Sequence, residues 1–398
     1  MVKRKTIFES CSLKKYSYSK QEINKSDIIS VIKTLKFNNL SRGPAVDQFE
    51  NKLKKITNSK FAVAVNSGTS ALIGAINSLS LKKNSTILVP NITFVATASS
   101  VLLSGFKVEL IDVSEDTGLV IPDELSKKLQ NKNISCFINV HLNGNIENLP
   151  LIHKICKKKK VKIIDDACHA LGTTFKNKKK LHRIGDNAFC DISTFSFHPT
   201  KLITTGEGGA ILTNNIKYFS KIKKITNHGY ENYKIKNKNY YHNYYKIVEP
   251  GYNFRISDLN CSLGISQLNR FRSKIKHRRK IALLYNNYFK DNENINILKI
   301  NPSIKSAHHL YPIFIKDYKK INKIELMDKL KKKNIFTQIH YLPISKQPLF
   351  NNNNKKFLKS DKYFQKVLSI PIHDGIKLKD IKFISKTIDN KLRKINKR

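Results

Sequence analysis

Between residues 61 and 214 the chain keeps returning to one arrangement: a short run rich in Val, Ile and Phe, a turn, then a longer segment of helical period. The runs are FAVAVNS (61–67), STILVP (85–90), KVELIDV (107–113), SCFINVHL (135–142), VKIIDDA (161–167), ISTFSF (192–197) and GGAILTN (208–214). Helical spacing occupies SALIGAINSL (70–79), FVATASSVLLS (94–104) and ENLPLIHKICKKK (147–159). Strands that alternate with helices belong to β-α-β units, whose crossovers set neighbouring strands parallel and cover both faces of the sheet. Several runs are apolar almost throughout, as coverage on both faces requires. The pattern predicts an α/β fold built on a mostly parallel sheet with these seven strands.

Beyond residue 215 the rhythm changes. A Tyr- and Asn-rich stretch, 227–245, is poor in apolar residues and reads as a mobile loop. Residues 257–289 then hold apolar spacing near 3.6 over a very long span, with Ser257 as N-cap, which predicts a helix, whole or broken once, that bridges two domains. HLYPIFI (309–315) and IFTQIHY (335–341) read as strands, and IELMDKLKKK (324–333) and DIKFISKTIDNKLRKI (380–395) as helices, of a smaller α/β domain closing over the first. The expected division is an N-terminal arm at 1–20, a large domain at 21–272 and a small one at 273–398. No internal repeat is visible.

Composition narrows the function classes. No apolar run reaches the roughly 18 residues of a membrane span, and the basic start is not followed by an apolar stretch, so neither a span nor a secretory signal is expected. The six cysteines are scattered without a C-x-x-C pair, which reads as reduced thiols in a cytoplasmic protein. Lys and Arg number 74 against 29 Asp and Glu, a formal charge of +45. Such charge raises the possibility of a basic protein that binds nucleic acid. Yet Lys is spread over the whole length, Arg is scarce, and no basic stripe is interleaved with aromatics as a strand-binding groove needs. Residues 157–160 and 176–180 read as solvated helix ends and loop tips, so no specific nucleic-acid partner is expected.

Ligands of open α/β sheets bind beyond the strand ends, and three segments stand there. In VNSGTSAL (65–72), Ser67, Gly68 and Thr69 lie between a strand and a helix start, which is either an anion site made by free amides and the helix dipole or simply a turn with its N-cap. VKIIDDACHALG (161–172) runs from a buried strand into Asp165, Asp166 and His169; carboxylates there need a positive partner. No second cluster with ligand spacing accompanies them, so a metal is not expected, and Cys168 faces away if the segment stays extended. The preferred reading is one carboxylate facing a ring cation, with His169 near the ring face. In SFHPTKLITTGEGGAILTN (196–214), Lys201 sits among Pro199, Gly206, Gly208 and Gly209. Burial and a neighbouring cation would lower its pKa, as condensation with an aldehyde requires, although any single lysine of this chain is more often a surface residue. An anion cradle, an acid for a ring nitrogen and an amine nucleophile together suit pyridoxal 5'-phosphate.

The order and wording of VNSGTSAL, IIDDACHALG, FSFHPTKLITTGEGGA, GYNFRISDLNCSLGISQL and HYLPI resemble the DegT/DnrJ/EryC1/StrS sugar aminotransferases, from about residue 20 to the C-terminus. The resemblance implies fold type I of the pyridoxal-phosphate-dependent transferases. It implies that Lys201 bonds to the cofactor, Asp166 pairs with its ring nitrogen, His169 packs on the ring, and Gly68, Thr69 and Ser196 hold its phosphate. Asn253 is similar to the residue that reaches the phosphate from a partner subunit, which implies a homodimer with shared active sites. Arg255 becomes a candidate for the amino donor's carboxylate, or else a structural ion pair. Phe94, His340 and Tyr341 would line the substrate pocket, or else serve as plain core. Asp165 stands where many members carry Glu, and Thr200 and Leu202 flank the lysine where near relatives often carry Val and Pro. Within the family the wording is most similar to the pseudaminic acid branch. It implies amino transfer from an amino acid, L-glutamate foremost, to a 4-keto nucleotide sugar, UDP-linked 2-acetamido-2,6-dideoxy-4-hexulose. GDP-perosamine and UDP-4-amino-4-deoxyarabinose synthases are the alternatives.

Overall fold

The structure is a computed structural model that describes residues 14–37, 39–231, 246–351 and 356–396. Residues 1–13 of the expected arm and 232–245 of the expected loop lie outside the described residues. Seven strands form the large sheet: β1 Phe61–Val65, β2 Thr86–Pro90, β3 Lys107–Ile111, β4 Ile134–Val140, β5 Lys162–Asp166, β6 Ile192–Ser196 and β7 Gly209–Thr213. Their order is β1-β7-β6-β5-β4-β2-β3, and each falls on a run read from the sequence. All neighbours are parallel except β7, which runs against both β1 and β6. The connection from β6 to β7 holds no helix, so the chain returns antiparallel instead of crossing over. That same connection carries Lys201.

Helices cover both faces: α1 Lys25–Leu35, α2 Pro44–Thr57, α3 Gly68–Ser78, α4 Val95–Leu103, α5 Pro122–Lys128, α6 Leu149–Lys158, α7 Ile216–Ile225 and α8 Asp258–Asn269. Period-two alternation along β1 divides its side chains between two cores: Ala62 and Ala64 pack with Phe49, Leu53, Phe195 and Leu212, while Val63 and Val65 pack with Leu72, Ile76, Ile164 and Ile211. Phe49, fully buried on α2, meets Phe197 edge-on at 5.2 Å between ring centroids. Burial of one such side chain contributes roughly 1.5–3 kcal/mol.

The long helix is broken once, at Arg270, between α8 and α9 (Phe271–Phe289). Ser257 caps α8, its Oγ accepting from the Asn260 amide at 3.2 Å. From α9 onward a second core gathers Ile281, Tyr285 and Phe289 with α10 (Lys323–Lys331), α12 (Asp380–Asn396) and an antiparallel sheet of β8 Ile295–Ile297, β9 Tyr311–Ile315 and β10 Val367–Ile370, with α11 (Leu358–Lys366) leading into β10. Tyr16 joins this core from the N-terminal side.

Segment 335–341 departs from its sequence reading. It forms no strand, and its β-type pairing is limited to single bridges, Tyr16 to Ile335 and Gln338 to Ser369. Residues 339–341 thereby leave the sheet edge. The charged tip at 176–180 closes a hairpin of Thr174–Asn177 with Lys180–Arg183. Among the described residues no helix is long and apolar enough to cross a membrane.

Candidate active site

At the end of β1 the chain turns into α3. Ser67 is the N-cap, its Oγ accepting from the Ser70 amide at 3.0 Å. The amides of Gly68 and Thr69 belong to the first turn, where no intrahelical carbonyl can meet them, and the helix dipole adds partial positive charge. The turn is thus an N-cap and an open anion cradle at once. Ser196, the last residue of β6, lies against it. A Cβ on Gly68 would stand 2.8 Å from Ser196 Cβ, and one on Gly209 would stand 2.3 Å from the Ser67 carbonyl oxygen, so only glycine lets these backbones close.

The two carboxylates at the end of β5 point to opposite sides, as consecutive strand residues must. Asp165 turns inward, its Oδ1 accepting from Asn139 Nδ2 at 3.3 Å and its Oδ2 lying 3.1 Å from His141 Nε2, off the line of a hydrogen bond. Asp166 turns to the cavity. Its Oδ2 accepts from Thr97 Oγ1 at 2.8 Å and its Oδ1 from the Cys168 amide at 3.3 Å. Cys168 also lines the cavity, contrary to the extended reading, because the chain turns after Asp166 and the Ala170 amide bonds back to the Ala167 carbonyl.

His169 is buried between Asn143 and Tyr341. Its Nδ1 faces the Asn143 amide at 3.4 Å and its Nε2 lies 3.2 Å from Tyr341 Oη. An amide N–H can only donate, so Nδ1 accepts and the ring proton is assigned to Nε2, which donates to the tyrosine. Burial, then the nearness of Lys201 and His340, holds His169 well below the usual histidine range, so the ring is neutral. His340 is pushed down to about 3 by burial and Lys201. Its Nδ1 is 2.9 Å from Ser369 Oγ.

Lys201 follows a tight turn in which its amide donates to the His198 carbonyl at 2.8 Å. Burial lowers the pKa of its ammonium, while Cys168 and Asp166 act in the other direction. No neighbouring cation is among the causes, which corrects the expectation of one. Lys201, Asp166, His169, Ser196, Gly68 and Thr69 all line one cavity of about 440 Å³. Phe94, the residue before α4, is 56 % exposed at its rim, with its ring centroid 5.9 Å from that of Tyr341. Phe94, His340 and Tyr341 therefore wall the cavity and are not plain core.

Asn253 and Arg255 do not join them. Asn253 is exposed, with its carbonyl 3.4 Å from Asn66 Nδ2, and it does not cap α8, since Ser257 does. Arg255 donates to Asn227 Oδ1 at 2.8 Å, a neutral amide and not an acid. Neither residue lines the cavity of its own chain. Among the cavity residues that the sequence reading did not single out are Thr97, Tyr18 and His309. Thr97 was findable, three positions after Phe94 on one helix face; Tyr18 and His309 arrive from distant segments with no local signal.

The residues fit pyridoxal phosphate. The cradle that a Cβ at Gly68 would fill offers free amides to a phosphate, a carboxylate and an amine face the same space, and the volume suits a cofactor of that size.

Comparison with known proteins agrees with this chemistry. The family model of the DegT/DnrJ/EryC1/StrS aminotransferases matches residues 21–389. The UDP-4-amino-4,6-dideoxy-N-acetyl-beta-L-altrosamine transaminase of Campylobacter jejuni is 36% identical over 385 residues, covering 96% of this chain and 98% of that protein. Among solved structures, Helicobacter pylori PseC, an aminotransferase involved in the biosynthesis of pseudoaminic acid, superposes with a TM-score of 0.89 at 29% identity, covering 96% of this chain and 100% of that one. The PLP form of the sugar aminotransferase Spr1654 from Streptococcus pneumoniae shares the fold, with a TM-score of 0.87 at 23% identity over 96% of this chain and 100% of that one.

Proposed function

Because the chain belongs to the DegT/DnrJ/EryC1/StrS family of pyridoxal-phosphate-dependent aminotransferases, we propose that it moves the amino group of L-glutamate to the 4-keto carbon of UDP-linked 2-acetamido-2,6-dideoxy-4-hexulose, releasing 2-oxoglutarate and the 4-amino sugar. The relative and the solved structure similar over nearly the whole chain carry names from that chemistry. The observation that carries the catalytic assignment is the convergence of Lys201, Asp166 and the Gly68–Thr69 amides on one cavity.

Gly68, Thr69 and Ser196 would hold the phosphate, and Asp166 the ring nitrogen. When bound, pyridoxal phosphate supplies an aldehyde for the amine and an electron sink for the broken C–H bond. Lys201 Nζ, whose neutral form burial favours, would carry the proton released at the donor's Cα to the cofactor's former aldehyde carbon, and would make the opposite transfer, toward C4 of the sugar, in the second half of the cycle. His169 donates its Nε2 proton to Tyr341 Oη and so fixes the phenol on the cavity wall. Phe94 and Tyr341 narrow the entrance and limit water.

We assign residues 21–272 to the cofactor-binding domain and 273–398 to the domain that closes on it. A homodimer completes the site. Asn253 is exposed and turned from its own cavity, which supports its serving the neighbouring one, with Arg255 beside it for the donor's carboxylate. Ile28, Ile29 and Ile32, about half exposed on α1, supply an apolar face suited to such pairing. The five cysteines among the described residues are free thiols, which supports a cytoplasmic setting.

The test is a panel of 4-keto nucleotide sugars offered with L-glutamate, following 2-oxoglutarate and the amino sugar. Turnover of the UDP-linked 2-acetamido sugar well above the others is expected. Preference for a GDP-linked 4-keto sugar, or for a UDP-linked pentose, would reject the assignment.

A further inference from the structure

We propose that Thr93 and Thr97 form a one-way chain of hydroxyl donors that aims Asp166 at the cofactor ring, which makes Thr97 a positioning residue of the reaction. The inference rests on the pyridoxal phosphate reading above. Both hydroxyl side chains are 1 % exposed. Thr93 Oγ1 lies 2.8 Å from Thr97 Oγ1, and Thr97 Oγ1 lies 2.8 Å from Asp166 Oδ2.

Proton count fixes the direction. A carboxylate that faces a ring cation is ionised and can only accept. Thr97 owns a single hydroxyl proton, which goes to Asp166. Toward Thr93 it has only lone pairs left, so Thr93 must donate. Each link polarises the next, and the donor that reaches Asp166 is stronger than a lone hydroxyl. The Cys168 amide meets the other oxygen at 3.3 Å, so one donor on each oxygen sets the plane of the carboxylate.

Local structure explains why the hydroxyl is free for this task. In a helix, threonine commonly bonds back to the carbonyl three or four residues earlier. Thr97 stands in the first turn of α4, where its own amide takes the Phe94 carbonyl at 3.1 Å, and its Oγ1 crosses to β5. Phe94 and Thr97 are three residues apart and share a helix face. One helix start therefore carries both a wall of the cavity and the hydroxyl that orients the carboxylate.

The experiment titrates cofactor-free protein with pyridoxal phosphate and records the visible absorption of the bound cofactor against pH, for wild type, Thr97→Val, Thr97→Ser and Thr93→Val. Thr97→Val is expected to raise the dissociation constant about tenfold or more, as loss of a hydrogen bond to a charged group implies, and to displace the pH dependence of the band. Thr97→Ser keeps the donor and is expected to stay within about twofold of wild type; Thr93→Val, which removes only the polarising link, within about threefold but measurably weaker. Circular dichroism checks folding. A folded Thr97→Val with wild-type affinity and an unchanged band overturns the proposal, as does Thr97→Ser failing as badly as Thr97→Val. If Thr97→Val does not fold, Thr93→Val decides: an unchanged affinity and band refute the chain. Wild type that takes up no pyridoxal phosphate overturns the cofactor reading itself, a result distinct from any difference among variants.

Discussion

Replacing Asp166 and Asp165 one at a time by asparagine separates two adjacent carboxylates of equal size and opposite orientation. Asp166→Asn removes the negative charge from the cavity. A unit charge about 4 Å from a cation at an effective dielectric near 20 is worth about 4 kcal/mol. At 1.36 kcal/mol per decade that is nearly three powers of ten. Asparagine also has one acceptor oxygen where Asp166 now serves two donors, Thr97 Oγ1 and the Cys168 amide, so one donor meets an NH2 group. Turnover should fall about 100- to 1000-fold, with a changed cofactor spectrum. Asp165→Asn alters inward contacts, those to Asn139 and His141 among them, at a cost of about 1–3 kcal/mol in stability. It should lower the melting temperature while leaving the cofactor spectrum in place. The assay combines 2-oxoglutarate production, the absorption spectrum and a thermal melt. Loss of the cofactor band in Asp165→Asn, with a normal band in Asp166→Asn, would refute the orientation argument.

Lys201→Ala should abolish turnover and leave the circular dichroism unchanged; activity without added amine would reject its role. Glu50 offers a pH test. Burial raises its carboxyl to about 7, against about 4.5 when unfolded, with the Ala64 amide held at 2.8 Å. The folded form therefore binds the extra proton, and stability is present below pH 4.5 and lost as pH rises through 7. Glu50→Gln should raise the melting temperature above pH 7, by at most about 3 kcal/mol of stability, with no gain at pH 4; an equal gain at both pH values would contradict this. For the shared site, co-expressed Lys201→Ala and Asn253→Ala subunits should recover about a quarter of wild-type activity, half the dimers being mixed with one complete site each. The comparison presumes that each variant alone is nearly inactive. No recovery after confirmed subunit exchange would refute the exchange of Asn253 between subunits.

The sequence alone determined the strands of the large sheet, because a strand covered on both faces must be apolar along its length and FAVAV or TILVP has no polar face to offer. It determined the three chemistry-bearing segments for a related reason: each begins where such a run ends, and the turn residues there are local. Ser257 and the helix after it were equally legible, since a cap and a 3.6-residue period are properties of neighbouring residues. Other features depend on distance in the chain. IFTQIHY reads as a strand by composition, yet the sheet edge beside it pairs only through Gln338, and His340 and Tyr341 end as cavity wall. Which of Asp165 and Asp166 faces the cavity follows from how the pleat of β5 is placed against α4, and α4 lies about 70 residues away in sequence. The lowered pKa of Lys201 is likewise a matter of burial by the packed elements around it and not of any charge written next to it. Alternation and capping are fixed by covalent neighbours; desolvation and the aim of a side chain are fixed by whatever the folded chain brings up against it.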